Sequence, residues 1–206
     1  AAPMTLFKFY ASEGGTRVPL IVSGPGVRQA ATTHAFSLIS DIAPTLLDYA
    51  RAPPAPASTA PIAGASLRGV LSGATATAHA PDEPIGLEAA GDAALFKGDF
   101  KLVRNIAPLG DGQWRLYDLK SDPGEVNDLG RAQPDRFRTM LSDYTDYARA
   151  NGVLPIPDGF DLQKTAMRFA VTHFVLPKLM AAWPWLFALA ALVVGGFAIR
   201  RRARST

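Results

Sequence analysis

Apolar residues follow different patterns along this chain, and each pattern predicts a different element. A continuous apolar run at 18–23 begins beside Pro19 and ends at the glycines and proline of 24–26. Because apolar residues do not alternate with polar ones, the run predicts a strand buried on both faces of a sheet. The Gly-Pro-Gly sequence then ends that strand.

Two segments show the period of an amphipathic helix. In residues 36–50, Ser40 or Asp41 is placed to cap the N-terminus, and Pro44 falls in the first turn, where a missing N–H costs little. Residues 134–150 begin with a proline at the first helical position. Their apolar stripe consists of Phe137, Met140, Leu141, Tyr144 and Ala148. We therefore predict a helix in each segment.

Between these helices the pattern predicts a small antiparallel sheet over 86–119. Strands at 93–97 and 100–104 flank Gly98-Asp99, a pair that suits a two-residue hairpin turn, and a third strand spans 113–118. The second predicted helix can cover one face of this sheet and form a stable two-layer unit. Residues 51–85, rich in proline, alanine and small polar residues, predict a linker or surface loop with a short helix at 64–71.

The C-terminal pattern is typical of a membrane anchor. Residues 179–199 carry no charge over 21 positions, a helical length of roughly 30 Å that matches a bilayer core. Tryptophans lie near the start of this stretch, and four arginines follow it in 200–206. The positive-inside bias predicts a cytoplasmic tail and a main body on the other, periplasmic or extracellular side. Residues 162–173, within the juxtamembrane segment 154–178, predict an amphipathic helix at the membrane surface.

Charge and cysteine content exclude several classes of protein. The net charge of +3 comes from the arginine tail, and the rest of the chain has 17 basic and 18 acidic residues. A nearly neutral body gives no reason to expect nucleic-acid binding. The chain has no cysteine, which excludes disulfides, thiolate metal sites and a cysteine nucleophile within it.

Several short motifs occur in an order that resembles a known family. The first, K-x4-E-G-G-x-R-x-P, runs from Lys8 to Pro19 and precedes the predicted strand. It is followed by D-I-A-P-T-L-L at 41–47, G-A-S-L at 64–67, W-R-L-Y-D-L at 114–119 and D-P-G-E at 122–125. Together they resemble the C-terminal half of a type I sulfatase, an arylsulfatase of the alkaline phosphatase superfamily.

The resemblance implies an α/β architecture in several parts. Residues 1–50 are expected to complete an alkaline-phosphatase-like catalytic domain. After the linker at 51–85, residues 86–153 form a small sheet-plus-helix subdomain. The transmembrane helix follows at 179–199. Since the chain begins without methionine inside a motif region, we expect it to be a fragment of a longer protein.

The resemblance also implies sulfuric ester hydrolysis by a hydrated formylglycine beside a calcium ion. Formylglycine is made from the Cys or Ser of C/S-x-P-x-R, and the segment at 23–28 reads S-x-P-x-x-R, one residue too long. A Gly-Pro-Gly turn explains that segment fully. Nucleophile and calcium ligands are therefore expected outside this chain, which alone is expected to be inactive.

Lys8 is the catalytic residue that the resemblance carries over. In the family, the lysine at this distance before E-G-G contacts the substrate sulfate. The chemistry agrees, because a fixed ammonium stabilises the negative charge that develops on oxygen as the S–O bond breaks. The two glycines that follow allow the backbone to turn where a side chain would block it.

Other charged residues favour structural roles. Glu13 and Arg17 are expected to pair and hold the loop, and Asp41 is expected to cap its helix. Three histidines, at positions 34, 79 and 173, show no metal-ligand spacing. Asp122 and Glu125 bracket a turn and are too few for a calcium site. The aromatic residues expected in the core are Trp114, Tyr117 and Phe137.

Two other functions remain open. A phosphatase, phosphodiesterase or phosphonate hydrolase of the same superfamily would bind a similar tetrahedral anion, and its upstream nucleophile would distinguish it. A membrane-tethered binding module without catalysis is the second alternative. The expected partners are a sulfate-ester substrate and the lipid bilayer.

Overall fold

The computed structural model describes residues 4–53, 61–157 and 159–184. The described residues fall into two compact units. The first contains the chain up to residue 105 together with 112–154, and the second contains 106–111 and the residues from 155 onward. The division into the segments predicted above stays a prediction.

The first unit is built on a four-stranded antiparallel sheet with the order β1-β2-β3-β4. Its strands are β1 (Ile85–Ala89), β2 (Asp92–Lys97), β3 (Phe100–Arg104) and β4 (Trp114–Asp118). The predicted sheet is confirmed, and β1 is an additional edge strand beside β2. Gly86 in β1 lies so close to Tyr147 that a Cβ atom there would be 2.3 Å from its ring.

One face of the sheet is covered by α4 (Pro134–Ala150), a helix with the predicted bounds. Leu95, Leu102 and Leu116 lie side by side on neighbouring strands and are fully buried beneath it. Met140 and Tyr144 of α4 pack onto these leucines. The apolar stripe of the helix therefore meets the apolar face of the strands, as the two-layer prediction requires.

The opposite face of the sheet is covered by an irregular segment near the N-terminus. Phe96, Val103 and Tyr117 form this face, and Ala11 and Phe36 pack against it. Ala11 is completely buried. The sheet is therefore buried on both sides, with a helix on one side and the K-x4-E-G-G segment on the other.

The predicted strand at 18–23 is not formed. Residues 17–23 have no regular secondary structure, and they make no sheet pairing with any described residue. Val18 and Ile21 are 77% and 92% exposed. A strand needs neighbours to satisfy its backbone and cover its side chains, and the described sheet lies elsewhere in the chain.

The first predicted helix is shorter than the pattern indicates. A 3-10 turn (Ile39–Asp41) leads into α2 (Ile42–Tyr49), so residues 36–38 stay outside. Phe36 instead packs against Phe96, with ring centroids 4.9 Å apart. Two short helices complete the unit, α1 (Glu13–Thr16) and α3 (Arg68–Ser72).

The helix predicted at 64–71 begins later, at Arg68. Gly64 has a φ of +97°, a backbone conformation that no α-helix contains. Local apolar spacing could not reveal this conformation, because Gly64 lies against the Ser40 backbone, in the 3-10 turn before α2.

The second unit contains α5 (Leu162–Ala170), followed by a π-helical turn (Val171–Val175) and a helical segment at 176–184. Asp161 caps α5, since its carboxylate accepts the Lys164 N–H at 3.0 Å. The predicted amphipathic helix is thus present.

The predicted transmembrane helix lies mostly outside the described residues, beyond position 184. Within the part of the chain that the structure describes, no helix combines the length and the apolar character needed to span a bilayer. The arginine tail at 200–206 also lies outside the described residues.

Candidate active site

Lys8 lies at the exposed turn of a closed loop. The loop is closed below it by two backbone hydrogen bonds, from Gly14 N–H to Thr5 O at 2.9 Å and from Tyr10 N–H to Phe7 O at 3.2 Å. The Lys8 Nζ atom is 5.3 Å from the centroid of the Phe9 ring. The loop therefore presents one ammonium group on its outer side.

The two glycines of E-G-G allow this closure. A Cβ atom on Gly14 would lie 2.2 Å from Leu6 O, and one on Gly15 would lie 2.1 Å from Tyr10 O. Both distances are far below van der Waals contact, and both obstructing atoms belong to the backbone. Glycine is required here because the helical turn of α1 packs directly against the loop of Lys8.

A buried ion-pair cluster attaches the loop to the sheet. Lys101 of β3 donates a hydrogen bond to Glu13 at 2.8 Å, and its Nζ lies 2.9 Å from Glu125 Oε1. The contact with Glu125 is an ion pair. The three side chains are 0%, 6% and 1% exposed. Glu125 also accepts the Glu13 N–H through Oε2 at 3.0 Å.

The charges in this cluster nearly balance. Two carboxylates face the single ammonium of Lys101, and Arg17 contributes a second cation 3.6 Å from Glu13. The predicted Glu13–Arg17 pair therefore exists, but it is the longer contact, and the Arg17 side chain is 47% exposed. Buried charges persist only when paired, so Lys101 is the principal partner of Glu13.

Asn105, just after β3, provides a second attachment. Its Oδ1 atom accepts the Ala11 N–H at 3.0 Å, and its Nδ2 atom donates to Ser12 Oγ at 2.7 Å. The Thr5 hydroxyl donates to Gly124 O in the turn before Glu125. Both ends of the loop are therefore bonded to the sheet subdomain, and residues 6–9 project between them.

Asp41 occupies a separate buried position at the start of α2. Its Oδ2 atom accepts the Leu38 N–H at 2.7 Å and lies 3.0 Å from His79 Nε2, while Oδ1 accepts the Ala65 N–H at 2.8 Å. It makes no side-chain cap to α2 itself. Through the Leu38 N–H the carboxylate instead caps the 3-10 turn that precedes α2, and it also cross-links this turn to residues 65 and 79. Gly64 is required beside it, because a Cβ would lie 2.7 Å from Oδ1.

His79 is buried with both ring nitrogens in use. Nε2 faces Asp41, and Nδ1 lies 3.3 Å from Glu83 Oε2. Burial by itself lowers the pKa of His79, but hydrogen bonds and charge from Asp41 and Glu83 outweigh it and raise the pKa above 6.5. With no free nitrogen, His79 serves structure rather than proton transfer to a substrate.

The other predicted residues take structural positions. His34 is exposed, and His173 lies 3.0 Å from Phe169 O within its own helix. Asp122 Oδ2 accepts the N–H groups of Val126 and Asn127, at 2.9 and 2.8 Å, and so closes a turn. Tyr117 lies in the core, where burial raises its pKa to about 12.

No group of three or more acidic or histidine side chains suited to a metal ion occurs in residues 4–53, 61–157 and 159–184. The Glu13 and Glu125 carboxylates meet at the Lys101 ammonium, which occupies the place that a cation would take between them. The described residues therefore do not fit a calcium site.

Known proteins similar to this chain share one description. No family model matches it. It is 28% identical over 179 residues to a Schizosaccharomyces pombe protein named as an uncharacterized sulfatase, covering 84% of this chain and 32% of the relative. It is 31% identical to an N-acetylglucosamine-6-O-sulfatase of Bacteroides thetaiotaomicron, covering 57% of this chain and 22% of that protein. The resemblance to the sulfatase family is confirmed.

A solved structure agrees with this sulfatase resemblance. Its description concerns the metabolism of multiple glycosaminoglycans by Bacteroides thetaiotaomicron. The present chain is 28% identical to it in sequence and superimposes on it with a TM-score of 0.57. The match covers 68% of this chain and 31% of that one. The sulfatase-like chain thus spans about a third or less of the length of these relatives.

The sequence pattern identified the sulfatase-like loop but not the residues that attach this loop to the sheet. Lys101 stands inside the apolar strand F-K-L-V-R, and strand alternation puts it on the same face as Val103. That position predicts burial, and a buried lysine requires an acidic partner. The partners themselves, Glu13 and Glu125, lie 88 and 24 positions away in the chain, so local spacing gave no signal for them.

Proposed function

We propose that this chain is part of a sulfuric ester hydrolase in which Lys8 contacts the sulfate group of the substrate. The observation that carries the proposal is the loop of residues 5–16, which is fixed at both ends and presents Lys8 at its exposed turn. Relatives named as sulfatases support the reaction class.

Lys8 would act as a fixed positive charge. As the ester S–O bond breaks, negative charge grows on the bridging and non-bridging oxygens, and a nearby ammonium lowers the energy of that state. A lysine suits this purpose as a compact point charge with three donors. Removing one such donor typically slows a reaction by about 10²-fold or more.

Formylglycine and calcium are further parts of the proposal. The chain has no cysteine, and its described residues contain no fitting metal cluster. We infer that both groups belong to the portion of the protein that corresponds to the rest of its relatives' length. In the same way, residues 1–50 would complete a larger α/β domain, and the exposed apolar run at 18–22 would pair with strands of that domain.

The substrate class is proposed as a sulfate ester of a small molecule. One relative is named for a 6-O-sulfated N-acetylglucosamine, so N-acetylglucosamine 6-sulfate is a natural first substrate to assay beside 4-nitrophenyl sulfate. The described residues do not point to a particular alcohol group.

Membrane attachment through residues 179–199 is also proposed. The described helical residues before this stretch and at its start expose large apolar side chains, including Phe174, Met180 and Trp183. The uncharged stretch itself continues to residue 199 in the sequence, with arginines directly after it. The body of the protein would then lie on the non-cytoplasmic side.

The decisive experiment replaces Lys8 in the complete protein. Lys8→Ala should lower kcat/KM for 4-nitrophenyl sulfate by well over tenfold, by about 10²-fold for a lost charge contact, and leave the melting temperature unchanged. Lys120→Ala is the matched control, since Lys120 is 78% exposed and lies 3.8 Å from Asp99. An unchanged kcat/KM in Lys8→Ala would remove Lys8 from the site.

A further inference from the structure

The loop of Lys8 is attached to β3 and the residue after it by two polar side chains, Lys101 and Asn105. Lys101 reaches Glu13 at 2.8 Å, and Asn105 reaches the backbone of Ala11 at 3.0 Å and the hydroxyl of Ser12 at 2.7 Å. Three consecutive loop residues are therefore bonded to β3 or to the residue directly after it. The segment cannot slide along β3 without breaking all of these contacts.

We propose that Lys101 and Asn105 are positioning residues for Lys8. They lie in β3 and directly after it, and they fix the loop segment that begins three residues after Lys8, so they set where its ammonium stands. This inference rests on the proposed contact between Lys8 and sulfate. A charge contributes to catalysis only if it is held where the transition state needs it, and a misplacement of about 1 Å can cost about 10²-fold in rate.

The ion-pair cluster around Lys101 explains why the loop is rigidly attached to β3. All three side chains of the cluster are nearly or fully buried, and Glu125 takes part from a left-handed backbone conformation with a φ of 54°. That conformation is rare for a residue other than glycine. The Lys101 ion pair and the Glu13 N–H hold Glu125 in this conformation.

The two residues differ in how well they can be tested. Replacing Lys101 leaves Glu13 and Glu125 buried without their main cation, so Lys101→Met is the variant at risk of not folding. Asn105 is neutral, and its removal breaks two hydrogen bonds to the loop without stranding a charge. Asn105→Ala therefore carries the test.

The experiment is a double-mutant cycle in the complete protein with 4-nitrophenyl sulfate. Asn105→Ala alone should lower kcat/KM by about tenfold or more, since it loosens the loop that holds Lys8. In the Lys8→Ala background the same change should have less than about a twofold effect, because the misplaced group is already gone. Hydrogen exchange at the Ala11 amide should become faster in Asn105→Ala.

The control is Lys97→Met. Lys97 pairs with Asp143 of α4 at 2.8 Å, so its loss breaks an ion pair on the helix side of the same sheet and leaves the loop intact. Its kcat/KM should stay unchanged. Equal activity losses from Asn105→Ala in both backgrounds would mean a general structural role and would overturn the inference.

The remaining outcomes separate this inference from the proposed function. If Lys8→Ala lowers activity and Asn105→Ala does not, the positioning role is wrong and the sulfate contact stands. If Lys8→Ala has no effect, the sulfate contact is wrong and the positioning role falls with it.

Discussion

Asp41 illustrates how one buried carboxylate can organise chain segments that are distant in sequence. Its two oxygens bind groups from residues 38, 65 and 79. The side chain is fully buried, and an unpaired charge there would be strongly destabilising. His79 supplies the balancing charge when it is protonated, so its ionisation contributes to the stability of this region.

This dependence predicts a pH effect on stability. The pKa of folded His79 is raised above 6.5, so its charge stabilises the fold fully below about pH 6.5, and that contribution is lost as the pH rises through the folded-state pKa. His79→Gln should therefore destabilise the protein more at about pH 5.5 than at about pH 8.5.

Urea unfolding of both proteins at the two pH values measures this difference through the transition midpoints. His34→Gln is the matched control, because His34 is exposed. A destabilisation by His79→Gln that does not change with pH would show that the imidazole acts only through packing.

At the scale of elements, the two faces of the sheet are covered by different kinds of structure. Helix α4 buries the face formed by Leu95, Leu102 and Leu116, and the loop segment around Ala11 buries the other. The first interface is mainly apolar packing, with the Lys97–Asp143 ion pair and the Tyr144–Glu88 hydrogen bond beside it. The second combines packing with the Lys101 ion pairs and thus joins the candidate site to the sheet core.

Met140 tests the contribution of the helix interface. It is 2% exposed and packs against the central leucines, so Met140→Ala should lower the free energy of unfolding by about 2–5 kcal/mol, as large-to-small core changes do. Met167 of α5 is the matched control at 67% exposure, and Met167→Ala should change it by no more than about 0.5 kcal/mol. Chemical denaturation measures both. Equal effects of the two changes would contradict the packing described here.

At the scale of the whole molecule, the chain has surfaces that its own described residues do not cover. Val18 and Ile21 are exposed in an extended segment, and Phe174, Met180 and Trp183 are exposed in the second unit. The matched part of this chain covers 32% and 22% of two of its relatives. Residues 18–22 are therefore proposed to pair within a larger protein, and the C-terminal helix to meet lipid.

Deleting residues 179–206 tests the lipid proposal. The deletion should move the protein from the membrane fraction to the supernatant, since it removes the whole uncharged stretch and the arginine tail. Replacing only the four tail arginines with alanine is the control, because it keeps the apolar stretch. Ultracentrifugation followed by immunoblotting measures the distribution. Recovery of the undeleted protein in the supernatant without detergent would refute attachment.

The local sequence pattern was sufficient to predict two kinds of element. These are helices with their own start signal and apolar stripe, and strands that pair with the next strand along the chain. The helix Pro134–Ala150 has the predicted bounds, because its proline start and apolar stripe are both written in consecutive residues. The hairpin around Gly98 follows for the same reason, as its turn brings adjacent strands together. The order of the motifs along the chain also indicated the sulfatase resemblance without any structural information.

What the sequence determined by itself was therefore this set of local elements, the loop with Lys8 and the sulfatase resemblance. Only the tertiary structure decided that residues 18–22 lie exposed, that Asp41 binds His79, and that Lys101 holds the loop through Glu13 and Glu125. These features depend on partners far away in the chain. A side chain's own neighbours cannot indicate which distant charge will be buried beside it, because burial is a property of the folded molecule.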